Sequence, residues 1–154
     1  MATNSVGTTV ILIRHADRTS SETDQDPSLN DKGEARAQEL VHVLGTSGIE
    51  IIYHSRFKRS KETANPLATQ FGIAKKQLEE PSQLQHDILT RHAGKAVLVI
   101  GHSDTVPDLI TLLAGGDMED INDGEFDNLF IVTGLGPSQA RVTHLKYGEL
   151  TLPV

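Results

Sequence analysis

The sequence predicts an α/β fold, a mostly parallel sheet in three layers with helices on both faces. Three observations carry that expectation. Thr8–Ile13 and Ala96–Ile100 are β-branched and apolar without polar alternation, as strands buried on both faces are. Several other segments repeat apolar residues at helical spacing. Strand-like and helix-like segments alternate along most of the chain, which is the pattern of βαβ units.

Each element has its own signals. Thr8–Ile13 is the first strand. After a polar loop to Leu29, Asn30 or Asp31 caps a helix whose inner face is Ala37, Leu40, Val41 and Leu44, with Gly45 or Gly48 ending it. Ile49–Tyr53 is a second strand. Ser55 offers a cap to a helix facing inward through Ala64, Leu67, Ala68 and Phe71 and closed by Gly72. Pro66 within it predicts a kink or a fresh start, because proline lacks the backbone donor. Pro81 and Ser82 start a helix reaching about His92, and Gly94 stops it. Ala96–Ile100 is the third buried strand. Thr105 and Pro107 open a helix with Val106, Leu109, Ile110 and Leu113 on one face, stopped by Gly115 and Gly116. Asp117–Asp127 reads as an acidic loop. Leu129–Thr133 and Arg141–Lys146 read as antiparallel strands joined by a Gly/Pro/Ser turn, which makes the sheet mixed.

The 154 residues suit one domain spanning 1–154 and suffice to bury a core. The absence of cysteine excludes disulfide scaffolds, thiolate metal sites and cysteine nucleophiles. Fourteen Lys and Arg against 21 Asp and Glu give a net charge of −7, unfavourable for nucleic acid or anionic membranes. With no tryptophan and few other aromatics, stacking platforms for single strands are not expected either. The apolar runs are too short to span a bilayer, and Met1–Gly7 has no signal-peptide pattern. The expected compartment is the cytoplasm, and the sequence does not define an oligomeric state.

In open α/β sheets, ligands bind where strands end. The first strand runs into Arg14-His15-Ala16-Asp17-Arg18, the second into His54-Ser55-Arg56-Phe57-Lys58-Arg59, and the third buried strand into Gly101-His102-Ser103-Asp104. Two histidines and several cations therefore reach one rim of an acidic protein, which predicts a local anion site. Two chemistries suit such a rim. A neutral imidazole can attack phosphorus while arginines neutralise the transferring oxygens. Alternatively, the repeated His-x-Asp (His15/Asp17 and His102/Asp104) can hold a divalent metal. Clustered cations would repel a dication, so the expectation is a site with no metal and no cofactor.

Four segments carry a resemblance to a known family. Leu12-Ile13-Arg14-His15-Ala16-Asp17 resembles the Arg-His-Gly opening of the histidine phosphatase superfamily, the phosphoglycerate-mutase-like enzymes. Ser28–Gly33 with Ala35 and Ala37 is similar to its Leu-Thr-x-x-Gly-x-x-Gln-Ala helix start. Ser55–Ala64 is similar to its Ser-x-x-x-Arg-Ala-x-Gln-Thr-Ala segment, and Val99–Ser103 to the strand bearing its second histidine. The matches fall in family order within residues 8–113, and the short chain is most similar to the compact bacterial phosphohistidine-phosphatase branch.

The resemblance implies a phosphoglycerate-mutase-like fold and a metal-independent phosphatase. The substrate would be a phosphorylated small molecule or a phosphoprotein: a phosphomonoester or a phosphohistidine. His15 is then the nucleophile, and Arg14, Arg59 and His102 complete the phosphate pocket. Arg59, four residues after Ser55, aligns with the family arginine rather than Arg56. Arg18, Arg56 and Ser103 are candidates for substrate contact. Ala16 stands where the family has glycine. The proton donor is open among Asp104, Asp17 and the Glu79–Glu80 pair, with Asp104 preferred although it sits one position away from the family's aspartate. Glu125 and Asp127 could reach the pocket from the acidic loop. Two rival readings are a mutase, for which the chain offers little lid, and a non-catalytic phosphoprotein-binding module, which would have no need of His15.

Overall fold

The computed structural model describes residues 7–78, 80–135 and 139–152. Glu79 and part of the turn between the last two strands lie outside them, as does the N-terminal stretch inspected for a signal peptide. In chain order the elements are β1 (Thr9–Arg14), α1 (Asp31–Leu44), β2 (Ile49–His54), α2 (Lys58–Phe71) and β3 (Ala74–Gln77). α3 (Pro81–Thr90), β4 (Ala96–Gly101), α4 (Thr105–Ala114), β5 (Asn128–Thr133) and β6 (Arg141–Lys146) follow. They form one six-stranded sheet in the order β3-β2-β4-β1-β5-β6. The first four strands in that order run parallel, while β5 is antiparallel to both β1 and β6. The predicted α/β class and mixed sheet are therefore what the chain adopts.

Strand alternation splits the interior into two cores. Val10 and Leu12 of β1 join Val97 and Val99 of β4 against Leu84 and Ile88 of α3 and Leu109 and Ile110 of α4. Ile11 and Ile13 join Ile52, Leu98 and Ile100 against Leu40 of α1 and Ala64 and Leu67 of α2. A strand with a helix layer on each side must be apolar at every position, which is why β1 and β4 read as unbroken apolar runs. Among the described residues no helix is long and apolar enough to cross a membrane.

Two expectations about elements are corrected. α2 continues through Pro66 as one helix, and its N-cap residue is Phe57, not Ser55. β3 was not expected at all. Its sequence Ala-Lys-Lys-Gln is polar and largely exposed, and it pairs with β2 alone. An edge strand packed on one side needs no apolar alternation, and its lysines blunt the free edge.

Candidate active site

The register of the sheet builds the site. Arg14 at the end of β1 pairs with Gly101 at the end of β4, and His54 at the end of β2 pairs with Ile100. β4 lies between β1 and β2, so three strands stop level with one another and hand their next residues to one rim. The His15 amide donates to the Gly101 carbonyl at 2.9 Å, which ties the two histidine-bearing segments together. The imidazoles of His15 and His102 meet edge to face, with ring centroids 5.1 Å apart.

His15 is almost completely buried. Its Nδ1 donates to the carbonyl of Ala16 at 2.8 Å, which leaves the lone pair on Nε2. Burial, opposed by the hydrogen bond to Ala16 and reinforced by the charges of Arg14 and Arg59 and by the neighbouring His102 ring, pushes its pKa down to about 2. The ring is thus neutral at any physiological pH, the state a nitrogen nucleophile needs. His102 is held down to about 4, chiefly by burial and then by Arg59, with Asp104 acting in the opposite direction. Its Nε2 lies 2.8 Å from Ser55 Oγ.

The arginines are held from behind. One terminal nitrogen of Arg14, Nη1, donates to the carbonyls of Asn122, Asp123 and Glu125 at 3.2, 2.8 and 2.9 Å. The guanidinium lies 4.1 Å from the ring centre of Phe126. Burial, outweighing the attraction of Asp123, brings its pKa down to about 10, and Arg18 and Arg59 push the same way. Arg59, half-buried in the first turn of α2, rests 4.5 Å over Phe57, and burial followed by Arg18 lowers its pKa too. Among the described residues, Arg14 Nε and Arg59 Nε and Nη1 are buried donors without a hydrogen-bond partner. Leaving such donors unmatched is costly, and an anion seated between them would satisfy all three.

Hydroxyls lock the frame. Thr63 Oγ1 accepts from the Ala16 amide at 2.9 Å and donates to the Arg59 carbonyl at 2.7 Å, so one side chain fixes both the His15 loop and the arginine turn. Ser60 does the same between Ser55 and β4, accepting from the Ser55 amide and donating to the Ile100 carbonyl, both at 2.9 Å. Ala16 is fully buried, and no residue other than glycine has a positive φ among those described. The position therefore makes no conformational demand that only glycine could meet.

The remaining candidates separate by place. Arg18 is exposed but stands close enough to lower the pKa values of Arg14 and Arg59. Arg56 is exposed, 4.6 Å over the Phe57 ring. Ser103 gives its carbonyl to the Ile121 amide and so anchors the acidic loop. Asp104 caps α4, its carboxylate accepting from the Thr105 amide at 2.8 Å, and it remains exposed. Asp17 is corrected as a proton donor, because its carboxylate is buried in an ion pair with Arg36 Nε at 2.6 Å. Glu80 is the exposed residue preceding α3, and Glu79 lies outside the described residues. Glu125 supplies a backbone carbonyl to Arg14, while its carboxylate takes the amides of Asn122 and Asn128. Asp127 holds Thr151 and Lys146. Both acids thus brace the loop. Phe126, Phe57, Ser60 and Thr63 were not singled out from sequence. Only the last two carried a signal, as hydroxyls within the Ser55–Ala64 segment.

Comparison with known proteins agrees with this fold. Residues 10–85 match the histidine phosphatase superfamily (branch 1). The chain belongs to that superfamily. Its fold is that of the protein histidine phosphatase SixA complexed with tungstate, at 20% identity and TM-score 0.72 over 90% of this chain and 96% of that one. A phosphoserine phosphatase from Entamoeba histolytica in complex with 3-phosphoglyceric acid is 15% identical, with TM-score 0.67 over 92% of this chain and 98% of that one. The mycobacterial glucosyl-3-phosphoglycerate phosphatase is 13% identical, with TM-score 0.65 over 91% and 98%. No curated protein sequence matches the chain.

Proposed function

We propose that this superfamily member is a phosphatase that cleaves a phosphomonoester or a phosphohistidine through a covalent intermediate on His15. One observation carries the reading. A buried, neutral imidazole with its Nε2 lone pair free lies beside three buried guanidinium donors that lack partners. Neutral nucleophile and unpaired cationic donors are the two requirements of phosphoryl transfer to nitrogen.

In this reading Arg14 and Arg59 take the phosphoryl oxygens. The Nε2–P bond forms as the bond from phosphorus to the leaving oxygen or nitrogen breaks, and that atom keeps the electron pair. Asp104, whose carboxyl group lies close enough to act on His102, supplies the proton from its carboxylic acid form and is left as the carboxylate. Water then attacks the phosphorus of phosphohistidine and gives a proton to the Asp104 carboxylate, the Nε2–P bond breaks, phosphate departs, and Nε2 recovers its lone pair. The solved relatives named above act on different phosphorylated compounds, and their shared feature is the phosphoryl group. The substrate here is proposed at that level.

The decisive experiment is chemical quench after mixing with a 32P-labelled aryl phosphate. The native chain should yield an acid-labile, base-stable phosphoprotein, and His15→Ala should yield none while still folding. Undiminished turnover or labelling in His15→Ala overturns the reading.

A further inference from the structure

Two cavities flank the phosphate site, and their chemistry differs. One, of about 280 Å³, is lined by Arg14, Arg18, Thr19, Ser20, Asp123 and Phe126, a polar and charged set. The other, of about 260 Å³, opens on the opposite histidine. Ser55 and His102, hydrogen-bonded to each other in the catalytic rim, form part of its wall. Leu84 and Leu109, anchored in the core between α3 and α4, line it as well. Phe57, Leu78 and Pro81 complete its apolar surface. Arg56 is the one fixed charge among the described residues that line it, and its guanidinium is laid over the Phe57 ring.

A phosphorylated substrate places opposite demands on its two ends. The phosphoryl oxygens need cationic donors, which Arg14 and Arg59 supply. The leaving body needs a surface matched to its own polarity. A concave, mostly apolar wall with a few polar groups at one side is the common form of a small-molecule site. Here the polar groups are Ser55 and His102 of the reacting centre, with Arg56, Gln77 and Thr105 at the margin.

We propose that this cavity receives the leaving group and selects an uncharged, apolar body of one or two rings. The inference rests on the phosphatase reading and adds the substrate class to it. A leaving group bearing a carboxylate or a second phosphate would exchange its hydration for the faces of Leu78, Leu84 and Leu109, at a cost. A ring would bury its surface there and meet Phe57 and His102, which already stand edge to face with centroids 5.3 Å apart.

The test compares kcat/KM for 2-naphthyl phosphate, phenyl phosphate and acetyl phosphate. The first two release phenols of nearly equal acidity and differ chiefly in ring size, and the third has no ring. The native chain should favour naphthyl over phenyl phosphate by about tenfold or more, the discrimination that added apolar bulk earns in a matching pocket. Leu78→Asp places a carboxylate on the cavity wall and keeps the backbone amide that donates to the His54 carbonyl. It should bring the naphthyl-to-phenyl ratio close to one. A native ratio near one overturns the pocket whatever the variant does, while acetyl phosphate, an activated anhydride without a ring, reports phosphoryl transfer itself. Turnover of none of the three overturns the phosphatase reading and the pocket with it.

Discussion

Arg59 and Arg56 both lie over the ring of Phe57, yet their surroundings assign them different work. Arg59 is half-buried with two unpaired nitrogens, whereas Arg56 is exposed to water. An arginine already stripped of water loses little more when it meets a phosphoryl group, so its interaction strengthens fully as charge develops. Arg59→Ala should therefore lower kcat on an aryl phosphate by about 10²–10³-fold, as removal of a single oxyanion donor does. Arg56→Ala should act mainly on KM, and by less. Steady-state kinetics on the two variants checks the ranking, and the reverse order would mean that Arg56 is the phosphate ligand. Sequence spacing pointed to Arg59, since the four-residue step from Ser55 matches the family segment. It could not show that Phe57 carries both guanidiniums or that Phe126 backs Arg14, because an aromatic residue next to an arginine is common and becomes a platform only through the fold.

At the scale of elements, what was legible depended on how many sides an element packs. β1, β4 and α4 are covered on their apolar faces, and their patterns gave them away. β3 packs on one neighbour and left no pattern. The start of α1 shows how a glycine and an ion pair brace the nucleophile loop. Asn30 accepts from the Gly33 amide at 2.9 Å and caps the helix. A Cβ on Gly33 would collide with the Asp17 carbonyl oxygen, so the helix approaches the His15 segment as only glycine allows. One turn later Arg36, almost wholly buried, pairs with Asp17 and donates to the Tyr147 carbonyl at 3.0 Å. That network joins the loop after β1 to the chain beyond β6. A charge inside a helix face is read from sequence as a solvated position, and so both Arg36 and the fate of Asp17 went unseen. Removing one partner strands the other as a buried charge, which costs about 3–5 kcal/mol. Arg36→Ala should lose that much in denaturant unfolding. A loss under about 1 kcal/mol would mean that water takes over the Asp17 carboxylate.

The whole molecule is acidic, yet it keeps a cationic pocket containing two neutral histidines, and this arrangement sets how it responds to acid. His15 has a pKa near 2 in the folded chain against 6.5 when unfolded, and His102 near 4. Below pH 6.5 the unfolded chain takes up protons that the folded one refuses. Stability is therefore complete above that pH and declines as pH falls toward the folded values. For His15 alone the decline amounts to about 2 kcal/mol by pH 5. The braced carboxylates act later. Hydrogen bonds from Asn122 and Asn128 hold Glu125 below its ordinary range; burial raises Asp127, but Thr151 and Lys146 outweigh it. Their protonation begins under the usual carboxylate pKa and leaves the window from pH 6.5 to 5 to the histidines. Thermal unfolding across that window should show the folded chain weakening as pH drops, with His15→Asn flattening the slope. Inorganic phosphate should restore stability most at the acid end, because a bound anion between Arg14, Arg59 and the two rings lets the folded state accept a proton as well. Equal stabilisation by phosphate at pH 5 and pH 7.5 would separate the anion site from the histidines.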